Sequence, residues 1–231
     1  MSRDAIVKAL RPFTSCDVSD ALLKLNHPHG GFLSNLTMWS PKRQEGSTKV
    51  VGPAYTVKYV RKNHGTDPTL KGHYIDSIPA GSVVFISSPP KIVNAVYGGL
   101  MSNRAKYSSA VGTIVDGRVR DLQEHRDLDY PVFARDVGTA SPQELLRVSE
   151  INVPVRLQSE DQEATIFPGD YLIGDLNGVV CLPKGLAERA IALMASQVEA
   201  DEKIAKDVQN GRTFQEASKQ HRAKVKEVED L

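Results

Sequence analysis
The spacing of apolar and polar positions along the chain changes character three times. Near the N-terminus, "SCDVSDALLKL" places apolar residues at helical intervals, with Ala21, Leu22 and Leu25 as the stripe and Asp17 or Ser19 supplying a cap oxygen. The next stretch, "GGFLSNLTMWSPKRQEGST", is rich in Gly, Ser, Thr and Pro and predicts a long loop, after which "KVVGPAYTVKYV" alternates as a strand does. The middle third alternates element types. "PAGSVVFIS" is a turn feeding a buried strand, "NAVYGGLMSNRAKYS" has helical spacing, "AVGTIVDG" is a second strand and "YPVFARD" a third. Strand, helix, strand implies a parallel crossover unit whose ligands bind outside the carboxyl ends of the strands. Asp116-Gly117 predicts a turn.

The last third carries short strands, "VPVRLQ", "EATIF", "GDYLIG" and "GVVCLP", the final two joined across an Asn-Gly hairpin signal, so this region is predicted antiparallel. From Lys184 a helical pattern runs to Gly211 and a second helix follows. These helices can cover the sheet or pack between subunits.

Composition narrows the function classes. Lys+Arg 29 against Asp+Glu 28 gives a net charge of +1, so no strong field draws the chain to nucleic acid or an anionic membrane. The basic C-terminal stretch "SKQHRAKVKEVED" interleaves its cations with Glu227, Glu229 and Asp230, which predicts a solvated helix face. Cys16 and Cys181 form no C-x-x-C pair, and no apolar run approaches membrane-spanning length, so a cytoplasmic protein acting on a small or protein partner is expected. His27, His29, His64, His73, His125 and His221 are too scattered for a zinc constellation, and no P-loop, G-x-G-x-x-G or G-x-S-x-G is present.

The candidate chemistry lies in "VYGGLMSNRAKYSSAVGTIVDGRVRDLQEH". Arg120 and Asp121 are adjacent just past a predicted strand end, where neighbouring side chains make poor partners for one another, so each is expected to address something else. The Arg120 guanidinium is a rigid fork suited to a substrate carboxylate. Asp121 suits a hard cation such as Mg²⁺, which often needs only one or two protein carboxylates. Glu124 lies three residues on, where a helix would give it Asp121's face and the reach to hold a metal-bound water or take its proton. Gly98 and Gly99 let a ligand oxygen approach backbone N–H groups at a helix start. Capping, salt bridging and close helix packing are the structural alternatives for these same residues, and His125 beside them is a candidate supporting residue.

Together "AVYGGLM", "VGTIVDGRVRDLQE", "YPVFAR" and "PGDYLIGDLNGVVCLP" resemble the RraA-like family, which groups regulators of ribonuclease activity with divalent-metal 4-hydroxy-4-methyl-2-oxoglutarate aldolases; the likeness runs from about Ser15 through Pro183. The resemblance implies an α/β fold, an α/β/β/α sandwich of the swivelling, phosphohistidine-domain-like type over residues 1–183, with a helical extension over 184–231. It further implies a homo-oligomer, a trimer or dimer of trimers, with sites at subunit interfaces.

Carried over by position, Arg120 resembles the arginine that holds the pyruvyl carboxylate, Asp121 the ligand of Mg²⁺ or Mn²⁺, and Gly98, Gly99, Leu100 and Met101 the substrate-contacting loop. One position departs. Bacterial aldolases of the family carry an aspartate where Gly99 stands, separated from Arg120 by the twenty residues Leu100 to Val119. Glu124 is the expected replacement, held to the metal through water, and this G-x20-R-D-x2-E arrangement resembles eukaryotic-type members. The resemblance therefore implies a carbon–carbon lyase acting on a small 2-oxo acid, with aldolase and oxaloacetate decarboxylase activities that share a pyruvate enolate. The rival expectation is a non-catalytic module that binds and regulates a ribonuclease.

Overall fold
The computed structural model describes residues 1–63 and 65–229, with side chains described as far as residue 223; His64, the side chains of Glu227 and Glu229, and Asp230 lie outside the described residues. In chain order the elements are α1 (Arg3–Leu10), α2 (Ser15–Lys24), β1 (Phe32–Leu33), β2 (Thr37–Ser40), β3 (Val50–Arg61), β4 (Val83–Ser87), β5 (Ala95–Tyr97), α3 (Gly99–Tyr107) and β6 (Gly112–Val119). They continue with α4 (Leu122–Asp127), β7 (Val132–Val137), β8 (Leu146–Ile151), β9 (Val155–Arg156), β10 (Thr165–Ile166), β11 (Tyr171–Asp175), β12 (Gly178–Leu182), α5 (Ala187–Gln209) and α6 (Phe214–Glu229).

A large mixed sheet runs in the order β1-β12-β11-β3-β4-β6-β7-β2, with β5 added to β6 and β8 to β3, and β9 and β10 form a separate pair. The predicted crossover unit is present: β3, β4, β6 and β7 are mutually parallel neighbours. The antiparallel last third is also present, β11 pairing with β12 across the turn at Leu176-Asn177. β3 does not alternate between core and solvent; it is buried over most of its length because β11, β4 and β8 all pair with it.

Successive residues of β4 serve different cores. Val84 and Ile86 pack with Tyr97 and Ala105 beneath α3, and half-buried Leu122 joins them from α4. Val83 and Phe85 pack with Leu172, Val179 and Cys181 of the antiparallel region. The other face of β11 and β12, through Ile173, Val180 and Leu182, meets Leu10, Val18, Leu22, Ala190 and Met194 of the N-terminal helices and α5. Among the described residues no helix is long and apolar enough to cross a membrane.

Four local expectations are corrected. The cap of α2 is Thr14, whose Oγ1 accepts the Asp17 N–H at 3.2 Å while Asp17 accepts the Thr14 N–H at 2.7 Å; Asp17 is the reciprocal half of a capping box. The expected long loop contains β1 and β2, edge strands held by partners about a hundred residues or more away in sequence, β12 and β7. The segment "NAVYGG" is not helical, because Ala95–Tyr97 pairs with β6 and helix begins only at Gly99. Asp116-Gly117 is no turn but lies within β6, where the buried Asp116 carboxylate is ion-paired with Arg135 and accepts the Gln158 N–H at 2.6 Å.

Candidate active site
β6 ends at Val119, and the chain then turns sharply into α4 because Asp121 adopts the left-handed conformation, φ 61° and ψ 44°. Aspartate tolerates this region better than most residues. The left-handed step breaks strand alternation, so the two side chains do not point to opposite faces: Arg120 Nε stands 3.5 Å from Asp121 Oδ2. The other Arg120 contact, Nη1 to the Thr139 carbonyl, is also 3.5 Å. Both are long, so the guanidinium fork remains largely uncommitted.

The Gly98-Gly99 turn lies against this corner. The Gly99 N–H donates to Asp121 Oδ2 at 3.1 Å, so this amide is spent on the aspartate rather than held for a ligand, and the Met101 N–H donates to the Gly98 carbonyl at 3.0 Å. Side chains would not fit here. A Cβ on Gly98 would stand 2.6 Å from Asp121 Oδ2, and one on Gly99 would stand 1.9 Å from Glu124 Oε2. Asp121 and Glu124 are thus seated against adjacent glycines, Glu124 behind the turn.

A cavity of about 410 Å³ opens at the corner, and Gly98, Leu100, Met101, Arg120 and Asp121 line it. Glu124 is not on its wall. The lining also includes residues not anticipated from the sequence: Tyr59 of β3, Leu70 and Tyr74 before β4, and Leu146 and Val148 of β8. The period-two alternation of Leu146 and Val148 with Arg147 and Ser149 was the available sign of β8. Burial pushes the pKa of the Tyr59 hydroxyl up to about 12, so it stays protonated, and it donates to the Val96 carbonyl at 3.3 Å.

Behind the corner, His125 is fully buried, stacked on Tyr97 with ring centroids 5.7 Å apart, and neither ring nitrogen has a hydrogen-bond partner. Burial lowers its pKa, against the opposing pull of the Arg120 backbone and the Asp121 charge, and a neutral ring results.

The carboxylates at the corner are Asp121, which lines the cavity, and Glu124, which does not. Among the described residues, neither Asp121 Oδ1 nor the Glu124 carboxylate accepts a hydrogen bond, and no cluster of three or more His, Cys, Asp or Glu side chains is arranged to hold a metal. Asp121 is the carboxylate that would hold a hard cation here, since Mg²⁺ keeps several waters and can be bound through one protein carboxylate.

The RraA-like profile, described as Aldolase/RraA, matches residues 15–181. The chain belongs to the RraA-like family. This RraA-like chain is 30% identical over 204 residues to protein DlpA of Legionella pneumophila, a match covering 88% of the chain but only 31% of DlpA. It is 31% identical over 189 residues to a Halalkalibacterium halodurans protein provisionally named 4-hydroxy-4-methyl-2-oxoglutarate aldolase, covering 82% of the chain and 80% of that protein. A solved structure of an uncharacterized protein from Pseudomonas syringae pv. tomato superposes with a TM-score of 0.78 at 26% identity, covering 93% of the RraA-like chain and 96% of the other.

Proposed function
We propose that the chain is a divalent-metal-dependent aldolase that cleaves 4-hydroxy-4-methyl-2-oxoglutarate and related 4-hydroxy-2-oxo acids to pyruvate, with oxaloacetate decarboxylase activity at the same site. The observation that carries this is the corner at the end of β6, where an uncommitted Arg120 fork and the Asp121 carboxylate share one cavity mouth against Gly98-Gly99. The aldolase name of the Halalkalibacterium relative supports it.

In this proposal Arg120 binds the substrate's C1 carboxylate bidentately and orients the adjoining keto group toward Asp121. The Leu100 amide, on the first turn of α3, adds a neutral donor at the same pole. Mg²⁺ or Mn²⁺ would be held by Asp121, with Glu124 reaching it through water. The cation, when bound, supplies Lewis-acid stabilisation of the negative charge that develops on the keto oxygen. Glu124, seated behind the glycine turn, takes the proton of the 4-hydroxyl through a water. The C3–C4 bond breaks with its electron pair left on C3, C4 becomes a carbonyl, and C3 is then protonated to give pyruvate. Oxaloacetate loses CO₂ by the same bond cleavage without the hydroxyl proton to remove.

The α/β/β/α layering of the swivelling type belongs to the same proposal and is supported by a core among strands with a core between strands and helices on each side of it. So does a homo-oligomer, trimer or dimer of trimers, which would cover the exposed Leu100 and Tyr107 on α3 beside the cavity. The test is pyruvate release from 4-hydroxy-4-methyl-2-oxoglutarate and from oxaloacetate. Release with Mg²⁺ or Mn²⁺, abolished by EDTA and restored by excess metal, is expected; no metal-dependent release from either substrate would leave the ribonuclease-regulator alternative.

A further inference from the structure
We infer that His73 receives the second carboxylate of the substrate, so that the cavity favours 4-hydroxy-2-oxo acids with a carboxylate on C4 over those with an alkyl group there. The inference rests on the aldolase proposal and names the residue that reads this part of the substrate.

The charges on the lining suit a dianion. Arg120, Arg147 and His73 can carry positive charge, and Asp121 is the acid among the described lining residues. With Arg120 on the C1 carboxylate, the second carboxylate needs another donor. Arg147 is engaged, its Nη1 donating to the Pro68 carbonyl and its Nη2 to the Asp67 carbonyl at 2.9 Å. The Tyr59 hydroxyl donates to the Val96 carbonyl at 3.3 Å. Thr69 and Gln143 are neutral, exposed side chains that would have to be ordered on binding.

His73 is already set as a donor. It caps the short helical turn Tyr74–Ser77, its Nδ1 accepting the Ile75 N–H at 3.3 Å. A nitrogen that accepts a hydrogen bond carries no proton, so the proton of the neutral ring is on Nε2. The ring also stacks on Tyr74, with centroids 4.9 Å apart. Cap and stack fix the imidazole before a ligand arrives, so the Nε2–H bond to a carboxylate costs little side-chain freedom and gains from the acceptor's charge. Because His73 is exposed, the remaining lone pairs of that carboxylate keep water.

A run of contacts ties this ring to the corner. Tyr74 meets Tyr59 edge-on at 6.2 Å, and Tyr59 bonds the carbonyl of Val96, two residues before Gly98.

The experiment compares 4-hydroxy-4-methyl-2-oxoglutarate with 4-hydroxy-4-methyl-2-oxopentanoate, in which a methyl group replaces the second carboxylate. Each gives up its 4-hydroxyl proton, breaks at C3–C4 and is protonated at C3, yielding pyruvate together with a second pyruvate or with acetone. With Mg²⁺ present, kcat/KM is expected to be about tenfold or more higher for the dicarboxylate, chiefly through a lower KM. His73→Asp keeps an oxygen for the Ile75 N–H but sets a like charge against the carboxylate. It is expected to abolish the preference by lowering kcat/KM for the dicarboxylate, with the monocarboxylate unchanged. His73→Asn keeps the cap oxygen and a donor, and is expected to restore most of the preference. No preference in the parent protein, a preference unmoved by His73→Asp, or an equal fall on both substrates overturns the inference. Release of no pyruvate from either substrate by the parent protein, together with no deuterium uptake at C3 of pyruvate in heavy water, overturns the aldolase proposal beneath it.

Discussion

Gly99 and Glu124 occupy one space: a Cβ at position 99 would lie 1.9 Å from Glu124 Oε2, 2.5 Å from its Cδ and 2.7 Å from its Cβ. A rotamer change moves the carboxylate but not Cβ, so α4 itself would have to shift. Gly99→Ala is therefore expected to destabilise the protein by about 1–3 kcal/mol in urea unfolding, the usual cost of overpacking. Glu124→Gly removes the opposing atoms at its own helix cost of about 1 kcal/mol, so the double variant should be more stable than the sum of the two single changes. Strict additivity would show that the two positions do not compete.

Asp121→Asn separates charge from conformation. Asparagine is at ease at φ 61° and its side-chain oxygen can still accept the Gly99 N–H, so the thermal midpoint should hardly change. Metal-dependent pyruvate release should nonetheless fall by about 10²-fold or more, as for loss of a charge that stabilises a transition state. Wild-type turnover at saturating Mg²⁺ would remove the metal assignment from Asp121.

Glu124→Gln is expected to split the two activities. Aldol cleavage should lose about 10²- to 10⁴-fold, the range for an acid–base group, while oxaloacetate decarboxylation loses less because it has no hydroxyl proton to transfer. Parallel losses in both reactions would place Glu124 with the metal rather than the proton.

Acid stability has a separate source. Burial pushes the Asp175 carboxyl up, but it accepts the Ser15 N–H and hydroxyl, both at 2.7 Å, and the Asn177 N–H at 2.9 Å, and these bonds bring its pKa below the usual carboxylate value. A pKa lower in the folded state than in the unfolded chain means that the unfolded chain binds the proton first. This contribution is present above the unfolded value of about 3.9 and lost as pH falls through the folded value. Asp175→Asn should flatten the fall in unfolding free energy below about pH 4, measured by urea titration. An unchanged acid limb would assign it to other carboxylates.

The sequence by itself determined the parallel unit of β4, β6 and β7, the antiparallel β11–β12 hairpin and the position of Arg120-Asp121 just past a strand end, because apolar runs and turn residues are local signals. The RraA-like likeness was legible for the same reason. Only tertiary structure placed Asp116-Gly117 inside a strand, since the groups satisfying that carboxylate, Arg135 and the Gln158 N–H, come from 19 and 42 residues away. Only tertiary structure turned Arg120 toward Asp121, through a left-handed residue that no local preference demands of an aspartate, and brought residues of β3 and β8 into the cavity lining. Which groups meet across a cavity depends on chain segments brought together by burial, and no spacing along the chain records that distance.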